Sequence, residues 1–258
     1  MSDLIIIFLD KIDEDSRFSN DSETIASFVE PLMTDNKLLL NPNLQIIVSI
    51  WSVPFNLLKD SIRTQKYYCP TLAWTKGDLL RVFKRRVQIY SDRDELDFDD
   101  FFAEDVTEED KDTIITLSNG NPRDLWHIFN DLFLQQFTMD ENSNKISRSA
   151  VEHGLVEFVR NFNYFEYYPR KKGAHANTMD VYKYIAHLLK LSAYEFTANQ
   201  LNTEAGAGSS AQNYISGMQS IGLVNRTELK RNAGVVYEIA DPKVVYALLH
   251  EIRISQNS

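Results

Sequence analysis

Residues Leu4–Glu14 read LIIIFLDKIDE: six large apolar side chains in a row, then Asp10, Asp13 and Glu14 within five positions. A run this short and this apolar, rich in β-branched residues, suits a strand buried on both faces, the environment of a parallel sheet. Leu44–Ile50 (LQIIVSI) is a second run of the same kind, and Tyr67–Leu72 is a third candidate with Pro70 inside it. Helical patterns lie between and after these runs. Ser22–Met33 has Asp21 or Ser22 as its N-cap, and Pro54 opens a short helix to Ile62. Thr75 starts a helix whose capping partner is Asp78 and whose apolar stripe is Leu79, Leu80, Phe83, Val87 and Tyr90. Strand alternating with helix predicts an α/β layer for the first third of the chain.

Beyond residue 90 the pattern becomes helical. Ser91–Asp112 holds twelve acids and two bases and reads as an acidic connector. Thr107 caps a helix that Gly120 ends, Asn121-Pro122 opens the next with Leu125, Ile128, Phe129 and Leu132 inward, and Ser147 or Ser149 opens another that runs into the aromatic cluster Phe162–Tyr168. Pro169–Thr178 (PRKKGAHANT) interrupts the periodicity and marks a boundary. After it come helical stretches at Met179–Leu191, Thr197–Ala205 and Ser209–Ser220. A hairpin follows, with arms Leu223–Glu228 and Val235–Ala240, and Asp241-Pro242 caps a last helix, Lys243–Ile252. Helix, helix, helix, hairpin, helix is a winged-helix order. Its expected core comprises Ile185, Leu188, Leu189, Phe196, Leu201, Tyr214, Ile215, Met218, Ile221, Leu223, Val236, Ile239, Val244, Val245 and Leu248.

Bulk properties narrow the function classes. The 258 residues carry a net charge of −10, concentrated in residues 1–160 with 29 acids against 17 bases, while residues 176–258 carry seven of each. An acidic first part argues against broad nucleic-acid binding there and leaves the second part open. The single cysteine, Cys69, excludes an intrachain disulfide and a Cys-rich zinc site; beside Pro70 it is expected as a packed thiol. Leu4–Leu9 is too short for a membrane span and lacks a basic flank, so a cytoplasmic protein with no membrane partner is expected. The five histidines show no metal-ligand spacing.

The strand-end acids carry the sharpest chemical signal. Ligands of open α/β sheets bind outside the carboxyl ends of strands, and a carboxylate there can hold Mg²⁺ through its water shell. A second carboxylate can orient the attacking water in phosphoryl transfer. The competing reading is an ordinary sheet strand with acids in its exit loop. Ser49 and Ser52 lie within and just after the second strand, and in Leu117–Leu125 (LSNGNPRDL) Arg123 falls in the first turn of a helix behind Gly120 and Pro122.

In this order the segments resemble an AAA+ or STAND-type P-loop ATPase, of the origin-recognition-like or KAP-like kinds. Leu4–Glu14 resembles the Walker B strand, Ile46–Ser52 the sensor-1 strand, Leu72–Arg86 (LAWTKGDLLRVFKRR) the turn and helix that enter the lid, and Gly120–Arg123 the sensor-2 turn. The resemblance spans roughly residues 3–135, and residues 178–252 by the appended winged helix. It implies a partial P-loop α/β core over 1–90, a helical lid over 91–168, a basic linker over 169–177 and a winged-helix domain over 178–258, predominantly helical overall. It implies Asp10 as the Mg²⁺ residue, Asp13 or Glu14 as the residue that positions water, and Ser52 and Arg123 as nucleotide-binding residues. ATP and Mg²⁺ are the implied ligands, and a nucleotide-dependent switch in DNA transactions or bacterial defence the implied role. Partners would be DNA, another protein or a second copy of the chain.

One departure limits this. No G-x-x-x-x-G-K-[ST] occurs, and the Walker B-like strand begins at residue 4, so the phosphate cradle and its lysine are missing. The chain alone is therefore not expected to be a competent ATPase; the cradle is expected from a longer chain or a partner, or has been lost in a degenerate relative. The other functional class is a non-enzymatic module in which the winged helix binds DNA or protein. There Gln212 and Asn213, in a helix without Lys or Arg, would reach base edges. Arg226, Lys230 and Arg231 on the hairpin, with Arg170–Lys172 in the linker, would meet phosphates.

Overall fold

The computed structural model describes residues 4–12, 14–18, 21–59, 61–91, 96–168, 180–231 and 234–254. In chain order the elements are β1 (Ile5–Leu9), α1 (Ser22–Thr34), α2 (Asn36–Leu39), β2 (Leu44–Val48), α3 (Ser52–Leu58), α4 (Lys76–Ser91), α5 (Glu108–Leu117), α6 (Pro122–Met139) and α7 (Arg148–Asn161). There follow α8 (Val181–Leu188), β3 (Glu195–Thr197), α9 (Ala198–Thr203), α10 (Ala211–Ser220), β4 (Val224–Arg231), β5 (Gly234–Ile239) and α11 (Pro242–Leu249). The described residues are mostly helical, with two small sheets. Among the described residues no helix is long and apolar enough to cross a membrane.

The elements pack as two compact units. The first comprises Met1–Pro70, Tyr164–Tyr184 and Asn213–Leu223, and the second Thr71–Asn163, Ile185–Gln212 and Val224–Ser258. In the first, β1 and β2 pair in parallel, in register from Ile5 with Leu44 to Leu9 with Val48. The core beside them is Ile12, Phe18, Ile25, Ala26, Val29, Leu58 and Ile62, against which Leu9, Val48, Ile50 and Phe55 pack. Asp21 caps α1 by accepting the Thr24 N–H at 2.7 Å. Three expectations fail here. Tyr67–Leu72 forms no strand: Pro70 cannot donate to a ladder, and the Tyr67 hydroxyl instead donates to the Met33 carbonyl at 2.5 Å. Nor is β1 buried on both faces: Ile6 is 52% and Phe8 69% exposed, because the described sheet has two strands and no layer over that face. Cys69 is exposed rather than packed, lying in the same unpaired stretch.

The second unit is held by helices whose ends the sequence marks clearly. Thr75 and Asp78 form a reciprocal capping box at α4, with Thr75 N–H and Asp78 Oδ2 at 3.0 Å and Asp78 N–H and Thr75 Oγ1 at 3.2 Å. Thr107 and Asp110 repeat it at α5, and Asn121, Ser147 and Asp241 cap α6, α7 and α11. Phe83 on α4 is the hub of an aromatic cluster, stacked on Trp126 with ring centroids 5.1 Å apart and tilted against Phe129 at 4.5 Å. Of the stripe expected on α4, Leu79, Phe83 and Val87 are buried, but Tyr90 in the last turn is exposed. α6 and α7 approach closely at Gly154: a Cβ there would lie 2.6 Å from Leu132 Cδ2 and 3.0 Å from its backbone.

In the C-terminal part, the first hairpin arm runs on to Arg231, further than expected, and β5 lies between β4 and a short strand, β3. The patterning predicts only helix around β3; Thr197 ends that strand and also caps α9, so one residue closes both elements. Of the expected core, Ile185, Leu188, Phe196, Leu201, Ile215, Met218, Leu223, Val236, Ile239 and Val244 are buried, and Leu189, Tyr214, Ile221, Val245 and Leu248 are half-buried.

Candidate functional site

Parallel pairing decides where the strand-end chemistry falls. Leu9 lies beside Val48, and the Ser49 N–H donates to the Leu9 carbonyl at 2.8 Å, so both strands finish at one edge. Asp10 is the first residue beyond β1 and is exposed. Lys11 follows with φ 56°, a left-handed backbone uncommon outside glycine, asparagine and aspartate. It turns the chain so that Ile12 enters the core. On the neighbouring strand Ser49 is exposed, and Ser52 is the exposed first residue of α3. Trp51, in the N-cap position, makes no side-chain capping bond, and its indole N–H is buried without a hydrogen-bond partner among the described residues.

The remaining acids of this segment are mostly engaged. Glu14 forms a surface ion pair with Lys11 at 3.2 Å. Asp15 is clamped by Arg17, whose Nε lies 3.0 and 3.1 Å from the two carboxylate oxygens. That bond, with the Arg17 backbone N–H and charge, holds the Asp15 carboxyl down to about 2. Asp13, the other residue expected to position water, lies outside the described residues. The strand edge thus combines the Asp10 carboxylate with two serine hydroxyl groups.

The Mg²⁺ and ATP implied by the resemblance require a carboxylate for the hydrated cation and a cradle of backbone N–H groups for the phosphates. Asp10 meets the first need. Among the described residues no group of three His, Cys, Asp or Glu side chains forms a closed metal cage, and Mg²⁺, which keeps its water shell, does not require one. The second need is not met. Residues 1–70 contain no glycine, and α3, behind the β2 edge, carries no Gly-rich lead-in and no lysine. The residues present do not fit a triphosphate, and no hydrolytic step follows from them.

Arg123 belongs to the second unit. It stands exposed in the first turn of α6, where its N–H donates to the Asn121 cap at 2.8 Å. Asn119 and Gly120 just before it both have positive φ, 50° and 69°. A Cβ on Gly120 would stand 3.5 Å from the Trp74 carbonyl, so the turns that open α4 and α6 lie against each other. The neighbouring Asp124 is fully buried and faces the equally buried Lys243 of α11, Oδ2 to Nζ at 2.9 Å, with the ammonium 4.4 Å from the centre of the Phe162 ring. Sequence patterning misses this pair, because a lysine in the first turn of an amphipathic helix reads as solvated.

The hairpin places its basic residues unevenly. The β4–β5 register shifts between Arg226 and Lys230. Thr227 stabilises the bulge: its hydroxyl donates to the Val236 carbonyl at 2.9 Å and accepts the Leu229 N–H at 3.2 Å. A cleft of about 270 Å³ results, lined by Arg226, Thr227, Glu228, Leu229, Lys230 and Val235. Arg226 and Lys230 are exposed there, whereas Arg231 reaches Glu195 of β3 at 3.4 Å. Gln212 and Asn213 are exposed in the first turn of α10. The basic linker Arg170–Lys172 lies outside the described residues.

No family model matches the chain, and no curated protein matches its sequence.

Proposed function

We propose that this chain is the strand-end and lid portion of an AAA+/STAND-type nucleotide-dependent switch with an appended winged helix, whose phosphate cradle comes from outside these residues. The observation that carries the reading is the parallel β1–β2 pair, which brings Asp10 to the same edge as Ser49 and Ser52. In open parallel sheets that edge is where ligands bind. Asp10 would hold a hydrated Mg²⁺, with Ser49 beside the end of β1 and Ser52 opening α3 behind the same edge. Arg123, exposed in the first turn of the lid helix, suits phosphate because guanidinium stays charged and binds bidentately.

Titrating the purified chain with a fluorescent ATP analogue, with and without Mg²⁺, tests this. The proposal expects no saturable binding by the chain alone. Mg²⁺-dependent binding lost in Asp10→Ala would mean that the nucleotide site is complete within the chain. Binding indifferent to both Mg²⁺ and Asp10→Ala would remove the strand edge from consideration.

A second reading is favoured by the bulged hairpin, where Arg226 and Lys230 are exposed beside one cleft. In it the C-terminal part is a DNA- or protein-binding module, the hairpin meeting phosphates and Gln212 and Asn213 facing base edges. A gel shift with random duplex DNA at low salt checks it: a shift weakened in Arg226→Ala/Lys230→Ala supports DNA as the partner, and no shift removes DNA.

A further inference from the structure

α6 is apolar on two sides. Leu125, Ile128 and Leu132 face the core and are fully buried. Phe133, Leu134 and Phe137 face away from it and stand 43%, 56% and 63% exposed. Positions i, i+1 and i+4 of a helix share one side, about one turn long. Phe101 extends this stripe, its ring centroid 6.0 Å from that of Phe133. Single exposed apolar residues are ordinary; a contiguous aromatic stripe marks an interaction site.

The surroundings of the stripe identify what fits it. Phe101 sits in the acidic segment that contains Asp97, Asp99, Asp100, Glu104 and Asp105, all exposed. That segment is fastened alongside the loop after α6 by two backbone bonds: the Ala103 N–H donates to the Ile146 carbonyl at 2.9 Å, and the Ile146 N–H to the Phe101 carbonyl at 2.8 Å. Exposed Asp140 and Glu141 follow the last turn of α6, where the helix dipole is itself negative. Lys84 and Lys111 neutralise Asp97 and Asp99, and the Lys145 ammonium donates to the Asp100 carbonyl. Asp100 spends its carboxylate on the Asp97 N–H. Even so, the seven exposed acids of these two segments outnumber the three lysines that meet them. An acidic rim disfavours DNA, an anionic membrane and the same face of a second copy.

We infer that the outer face of α6, with Phe101, docks a basic amphipathic helix of another protein, its apolar side on Phe133, Leu134 and Phe137 and its Lys or Arg residues over the flanking acids. Helix-on-helix docking of this kind reads as anchors at i, i+3, i+4 and i+7 of the partner. Central aromatic anchors supply most of the affinity and the charged rim supplies selectivity. The inference is independent of the nucleotide site.

Two synthetic helical peptides of about 15 residues test it. They share one Leu stripe; one carries Lys and the other Glu at every flanking position. Fluorescence anisotropy against the full chain should show saturable binding of the Lys peptide alone, weakening as salt rises. Phe137→Asp should lower that affinity by about tenfold or more, the effect of losing one anchor. This variant adds negative charge, so unspecific attraction of the Lys peptide would move the other way. Because Phe137 is exposed, its circular dichroism and melting should match the parent; Leu134→Asp provides a second variant should they not. No binding of the Lys peptide, equal binding of both peptides, or binding unchanged in the folded variants would overturn the inference. So would concentration-dependent dimers in sedimentation that Phe137→Asp abolishes, which would give the face to a second copy of the chain.

Discussion

Ile6 and Phe8 on β1 are 52% and 69% exposed, whereas Ile128 and Leu132 on α6 are sealed completely. The side chains are of the same kind, and each lies in a strongly apolar segment. What separates them is the neighbours that each element requires. A helix satisfies its own backbone and needs only one apolar partner face, which α7 supplies to α6 within the same unit. A strand from a parallel sheet needs a neighbour on each edge and a layer on each face. The two strands described here offer one neighbour and one partly covered face. Local sequence therefore specifies the helical region more completely than the sheet, and substitutions in the two should behave differently.

The largest effect is expected at the buried pair. Lys243→Ala leaves Asp124 charged and fully enclosed, and should cost about 3–5 kcal/mol in urea unfolding. Asp124→Leu/Lys243→Met together should cost far less, since removing both charges leaves neither uncompensated. A harmless single substitution would mean that water reaches Asp124 and that the helical unit is not tightly closed there. Gly154→Val comes next, at about 1–3 kcal/mol, because its side chain would press on the Leu132 backbone. Thr107→Ala removes one half of a capping box and should cost about 1 kcal/mol.

Acid should loosen the start of α4. The Asp78 carboxyl is drawn from 3.8 down to about 2 by the Thr75 hydroxyl, then by the Thr75 N–H and Arg81. Its contribution is present above the ordinary carboxylate range and is lost as pH falls towards 2. Thr75 at the cap should therefore lose amide protection between pH 4 and pH 2 in the parent, and Asp78→Asn should flatten that profile. The smallest effect belongs to the strand. Phe8→Lys should change stability by about 0.5 kcal/mol or less, as an exposed site does. A loss of several kcal/mol would mean that Phe8 is covered in solution.

The helix starts were legible because each is a local event: Asp21, Thr75, Thr107, Asn121, Ser147 and Asp241 meet N–H groups within three residues of themselves. The strands β1 and β2 were legible by composition, but their exposure was not, because burial of a strand depends on residues far away in sequence. Pro70 was the local warning against a strand at Tyr67–Leu72. The Thr227 bulge and the Lys243–Asp124 pair rest on contacts 9 and 119 positions apart, which no periodicity encodes. For the candidate site, Asp10 and Ser52 followed from strand ends alone. The engagement of Glu14 with Lys11 required the turn that Lys11 makes.

Hydrogen exchange on the intact chain, followed by mass spectrometry, tests the central contrast most directly. Amides of β1 and β2 should exchange orders of magnitude faster than those in the middle of α6 and α7, as expected for a strand pair with open edges. Protection of β1 equal to that of α6 would contradict it, and would mean that the sheet is already complete in solution.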